Sequence, residues 1–87
     1  KYMEIKVIKN KNISDFQSWP IWTCEPSTFD WKYDQEEHCF IIDGSVTVTS
    51  SNNTIEIISG DYVIFPKGLE CVWKVHRSIK KHYIFKS

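Results

Sequence analysis

The chain has 87 residues, 41% hydrophobic and 15% aromatic, and its 11 basic and 11 acidic side chains cancel to a formal net charge of +0. This is the size of one small domain, 1–87, with a thin stability margin that four Trp, five Phe and four Tyr help to fill. The balanced charge leaves no field to attract nucleic acid or an anionic membrane, no apolar run approaches the roughly 20 residues of a membrane span, and no signal peptide is legible.

Taken in order, Met3 to Lys9 alternates, with Met3, Ile5 and Val7 on one face, and reads as a half-buried strand. Asn10 to Ser14 is polar and reads as a loop, and Ser14 suits the N-cap of a single helical turn over 14–17. Ser18 to Thr23 contains Pro20, which cannot donate to a ladder, so this is an edge strand or irregular. Phe29, Trp31 and Tyr33 then fall on one face at period two.

Glu37 to Ile42 reads as a strand, with Glu37, Cys39 and Ile41 on one face and His38, Phe40 and Ile42 on the other. Asp43-Gly44 reads as a tight hairpin turn, where glycine accepts positive φ. Val46 and Val48 continue the inward face. Asn52-Asn53 reads as a second hairpin turn, and Ile55 and Ile57 point in again. Tyr62 to Phe65 is apolar throughout, as in a strand covered on both faces. Cys71, Trp73 and Val75 alternate inward, Arg77-Ser78 reads as a break, and His82 to Phe85 forms a last strand. Lys80-Lys81 reads as a basic spot on a solvated strand end.

Strands recur with turn signals between them and no stretch holds a helical period, which predicts an all-β fold, a small antiparallel β-barrel of the jelly-roll type. Phe40, Ile42 and Ile8 would leave apolar surface in water, so a homodimer is expected. Cys24, Cys39 and Cys71 form no zinc pattern and read as reduced, buried thiols of a cytoplasmic protein.

Two stretches carry a family resemblance. Glu37 stands seven residues before Gly44, and Gly60, Pro66 and Gly68 sit in Gly-Asp-Tyr-Val-Ile-Phe-Pro-Lys-Gly. These are the framework residues of the two cupin motifs, Gly-x5-His-x-His-x3,4-Glu-x6-Gly and Gly-x5-Pro-x-Gly-x2-His-x3-Asn. The chain resembles the RmlC-like cupins over residues 19–85. In detail it resembles small cupins related to the (S)-ureidoglycine aminohydrolase cupin domain, through Trp31, Tyr33, Asp34, Glu37, Asp61, Phe65 and Trp73. The resemblance implies a barrel with a metal held by three histidines and a glutamate. Here those four positions are Trp31, Tyr33, Cys71 and Glu37. His38, His76 and His82 miss the motif and read as surface or interface residues.

No cofactor is therefore expected; Glu37 and Cys71 are the ligands if a divalent metal binds after all. The expected site is a pocket of Trp31, Tyr33, Glu37, Cys39, Cys71 and Trp73 that takes a small molecule. Glu37 is the candidate general acid or base, its pKa raised by desolvation, and Tyr33 a hydrogen-bond donor to it or to substrate. Two other readings stand beside this one: an atypical metal-dependent enzyme acting on a polar metabolite, and a non-catalytic dimeric scaffold. The resemblance includes a metal-less cupin of ethanolamine utilisation, so lost histidines are compatible with function.

Overall fold

A computed structural model describes residues 3–51 and 53–86. Among these residues seven strands form one antiparallel sheet: β1 (Lys6–Ile8), β2 (Ile21–Cys24), β3 (Ser27–Lys32), β4 (Glu36–Ser50), β5 (Thr54–Ile58), β6 (Tyr62–Phe65) and β7 (Glu70–Lys86). The long strands β4 and β7 lie side by side and carry the rest. β6 and β5 pair with successive halves of β4, β1 extends β6, and β2 and β3 pair with successive halves of β7. The sheet wraps around one core, but its ladder has ends at β1 and β2. The expected barrel is thus closed by side chains and not by hydrogen bonds.

The inward residues alternate as period two requires. Cys39, Ile41, Val46 and Val48 from β4 meet Val63 and Phe65 from β6 and Trp73, Val75 and Ile79 from β7, all buried. Ile57 joins them from β5. Asn52 of the expected second turn lies outside the described residues.

Two expected breaks do not exist. Asp43-Gly44 is no hairpin turn: β4 runs straight through it, with register shifts against β7 between Ile41 and Val46. This bulge moves the inward phase of β4 from odd residues to even ones. Arg77-Ser78 likewise lies inside continuous β7, which keeps its odd phase from Cys71 to Tyr83. Glycine plus a preceding Asp satisfies a bulge as well as a turn, so local chemistry did not separate them.

The outer face of β4 is covered by the chain's own first segment. A 3₁₀ turn, Ile13–Phe16, is capped by Asn12, whose Oδ1 accepts from the Ser14 N–H at 3.0 Å; Asn12, not Ser14, is the cap. It lays Phe16 on Phe40 and Tyr62, each at 5.1 Å between centroids. Phe40 is therefore buried within one chain, which removes it from the apolar surface that motivated a dimer. Ile8 is still exposed. Among the described residues no helix is long and apolar enough to cross a membrane.

Gly44 and Gly60 both have positive φ, +103° and +95°. A Cβ on Gly44 would lie 2.2 Å from the Ser78 carbonyl oxygen, whereas one on Gly60 meets nothing within 4 Å. Gly60→Ala is expected to cost about 1–2 kcal/mol, the left-handed backbone term alone. Gly44→Ala is expected to cost about 3 kcal/mol or more, since it adds a backbone clash at the bulge. Urea denaturation of the two variants measures the difference.

Candidate functional site

One end of the sheet holds a cavity of ≈ 230 Å³. β3 and the residue after it supply Phe29, Trp31 and Tyr33; β2 supplies Trp22; β4 supplies Glu37. Trp73, Lys81, Tyr83 and Phe85 all come from the odd, inward face of β7. Trp31 and Phe85 are 48% and 44% exposed, so the cavity opens to the surface beside them. Its depth is defined by Tyr33, Glu37, Trp73 and Lys81, all buried.

The central feature is an ion pair. Lys81 Nζ lies 2.7 Å from Glu37 Oε2, with the two side chains 6% and 3% exposed. Glu37 sits opposite Phe85 on β7, four residues beyond Lys81. At about 3.4 Å per residue that is roughly 14 Å of strand, a span that an extended lysine and glutamate reaching toward each other can close. The ammonium also lies 4.7 Å from the ring centroids of both Trp22 and Trp73. Two indole faces offset part of the desolvation of the buried cation.

Aromatic packing fixes the remaining walls. Tyr33 stacks on Phe65 at 4.8 Å and 7°, and Phe29 stacks on Trp73 at 6.0 Å. Trp73 Nε1–H donates to Tyr33 Oη at 3.2 Å. Burial, with Glu37 nearby as the next cause, raises the Tyr33 pKa well above the ordinary phenol value, so Tyr33 keeps its proton and can donate it in a hydrogen bond.

Of the six residues expected to line the pocket, Trp31, Tyr33, Glu37 and Trp73 do so. Cys39 and Cys71 do not. Cys39 faces inward but is packed wholly in the core, and Cys71 is buried in the same core near Trp73 and Tyr33 without lining the cavity. Burial pushes their thiols up to about 12 and about 11, which leaves no free thiolate for nucleophilic work at neutral pH. All three cysteines are free.

Sequence reasoning missed Lys81, which it placed in solvent. The signal was present: counting by two from Trp73 reaches Val75, Ile79 and Lys81, provided the strand is not broken at Arg77. Phe29, Trp22, Tyr83 and Phe85 also line the cavity and were not in the expected pocket.

The three histidines do not line the cavity. His38 bonds Tyr62 Oη through Nδ1 and Glu36 Oε2 through Nε2, each at 2.6 Å, on the outer face. His82 Nδ1–H donates to the Trp19 carbonyl at 3.0 Å, and His76 pairs with Thr47. His38 and His82 are thus buried and bonded within the chain, not surface residues. Asp61 caps its turn: its Oδ2 accepts from the Ile58 N–H at 3.0 Å, and Lys9 pairs with Oδ1.

The four cupin ligand positions do not form a metal-ligand set. Trp31 cannot ligate, Tyr33 holds its proton, Cys71 lies off the cavity, and Glu37 is engaged by a lysine. Among the described residues no three His, Cys, Asp or Glu side chains come together as a metal site would need.

A curved antiparallel sheet with a cavity inside one end is the architecture of the cupin class. Residues 12–83 match the EutQ-like cupin domain, and the chain belongs to that family. It is similar to a DUF861 family protein from Thermotoga maritima, with 42% identity and a TM-score of 0.90 over 95% of this chain and 100% of that one. It shares its fold with the EutQ protein of Clostridium difficile (17% identity, TM-score 0.69, 95% of this chain and 68% of that one). The same holds for a putative ethanolamine utilization protein Q from Salmonella typhimurium (18% identity, TM-score 0.68, 93% of this chain and 68% of that one). No protein with a curated description matches. The family match is to EutQ-like cupins, a coarser kinship than the ureidoglycine aminohydrolase subfamily expected from the motifs.

Removing one member of the buried pair strands the other. Lys81→Met and Glu37→Gln are each expected to destabilise by about 3–5 kcal/mol, and the double variant by clearly less than the sum. Chemical denaturation of the full cycle tests this. The thiols set an alkaline limit. The unfolded chain loses the Cys39 proton near the ordinary 9.0, while the folded chain holds it to about 12. This contribution is complete below pH 9.0 and is lost as pH rises toward 12. Thermal melts across that window should fall less steeply for Cys39→Ala than for the wild type.

Proposed function

We propose that this protein is a small-molecule-binding cupin that works without a metal ion, with Glu37 and Tyr33 as the groups that meet the ligand. The observation that carries this reading is the open, aromatic-walled cavity whose charged lining groups are Glu37 and Lys81. Small-molecule sites are apolar pockets with a few convergent polar groups, and this one has that composition. Stability does not account for the pair, because a well-packed apolar pair of similar volume is often as stable or more so. A chemical role accounts for it better. Glu37 can accept a proton or hydrogen bond, Lys81 balances its charge, and Tyr33 can donate from the same floor.

An open space beside Glu37 also argues against a purely structural scaffold, in which aromatics would fill the interior. Metal independence rests on the donor set. Kinship with ureidoglycine aminohydrolase cupins is part of the proposal and rests on Trp31, Tyr33, Asp34 and Glu37; a manganese-dependent activity does not follow from it, since the histidines are replaced. A homodimer rests on narrower ground than the sequence offered, with Ile8 exposed and Phe40 covered. The free thiols fit a reducing, cytoplasmic setting.

Elemental analysis and native mass spectrometry of wild type and Glu37→Gln test the reading. The expected result is no stoichiometric metal and a small molecule retained by wild type alone. Stoichiometric metal lost in Glu37→Gln overturns it.

A further inference from the structure

The cavity floor places an acceptor and a donor side by side with cancelled charge. Lys81 Nζ lies 2.7 Å from Glu37 Oε2, and a carboxylate has two acceptor oxygens. The Lys81 ammonium carries three N–H donors, and Tyr33 adds a hydroxyl donor to the same floor.

Charge balance restricts the ligand first. An anion would draw Lys81 away and leave a carboxylate in an apolar cavity, and a cation would do the reverse to Lys81. Either outcome leaves a buried charge without its partner, so an uncharged ligand fits best. Shape restricts it next. The walls are the rings of Trp22, Phe29, Trp31, Trp73, Tyr83 and Phe85, which favour a flat ligand with π-faces. The volume of ≈ 230 Å³ lies below the roughly 300 Å³ where drug-sized pockets begin, so the ligand is about one ring in size.

The polar edge restricts it last. The ligand must offer an N–H to Glu37 and an oxygen to Lys81, on one side. A trans amide points its N–H and C=O in opposite directions. A ring holds the amide cis and brings them to the same edge. From standard bond lengths its N and O then lie roughly 2.2–2.3 Å apart, a fair match to the 2.7 Å between Glu37 Oε2 and Lys81 Nζ.

We propose that the cavity takes an uncharged, flat lactam, its N–H on the Glu37 carboxylate, its carbonyl oxygen on Lys81 Nζ and its faces against the aromatic walls. This rests on the cavity being a ligand site, as proposed above, and adds the class of ligand.

The test is a ligand-observed NMR titration of the wild-type protein with four one-ring probes: 2-pyridone, benzoate, benzylamine and benzyl alcohol. The expected result is that 2-pyridone binds at least about tenfold more tightly than the other three. Glu37→Gln, which leaves Lys81 unbalanced, should reverse the order in favour of benzoate. Where that variant does not fold, the wild-type series decides alone. Benzoate or benzylamine binding tightest in the wild type overturns the lactam and leaves the cavity a ligand site. Benzyl alcohol binding as well as 2-pyridone removes the polar edge from recognition and overturns it too. No probe binding at millimolar concentration overturns both the lactam and the ligand site.

Discussion

The structure turns on one buried ion pair, Glu37 with Lys81. Two charges taken from water must meet each other at short range, and the surroundings must keep them paired. This demands β4 and β7 in antiparallel contact, with Lys81 four residues from the position facing Glu37. It also demands indole faces beside the ammonium, which Trp22 and Trp73 supply in a T-shaped pair. The aromatic walls of the cavity and the solvation of its cation are the same residues. The site therefore cannot change its charge without changing its shape.

The bulge around Gly44 makes that arrangement compatible with a continuous core. β4 contributes odd residues to the cavity end and even residues beyond it, while β7 holds one phase throughout. Had β4 kept its phase past Ile41, Val46 and Val48 would face outward and Thr47 would face the core. The bulge reverses this within a few residues, and Gly44 is what lets the Ser78 carbonyl approach. A stability requirement at mid-strand thus sets the register that aims Glu37 and Lys81 at one another.

Within the cupin class this cavity exchanges one kind of chemistry for another. The motif positions that hold a metal elsewhere carry Trp31, Tyr33 and Cys71, and the retained glutamate is neutralised by an internal cation. A metal site offers an electrophile and exchangeable water. This cavity carries a charge-balanced Glu37–Lys81 pair under aromatic cover, which in the function proposed above recognises a polar edge. The family name says little about which, because cupins host many activities on one scaffold. The residues at the floor say more.

Much of this could be read from the chain. Period-two alternation is a local property, so Phe29, Trp31 and Tyr33 declared a shared face, Glu37 declared itself inward, and the all-β class followed without any knowledge of partners. Turn residues were less reliable, since Asp43-Gly44 serves a bulge as readily as a hairpin. The identity of a residue's neighbour is not local. Whether Lys81 meets water or Glu37 depends on β7 staying unbroken through Arg77-Ser78 and on its register with a strand far away in sequence. Whether Phe40 is free surface depends on a 3₁₀ turn that returns Phe16 to it. Whether Cys39 and Cys71 reach the cavity depends on where along the strands the core closes. Composition and spacing determined the fold and half of the site. Long-range strand pairing alone decided the other half, because the free energy of a buried charge depends on what stands across from it.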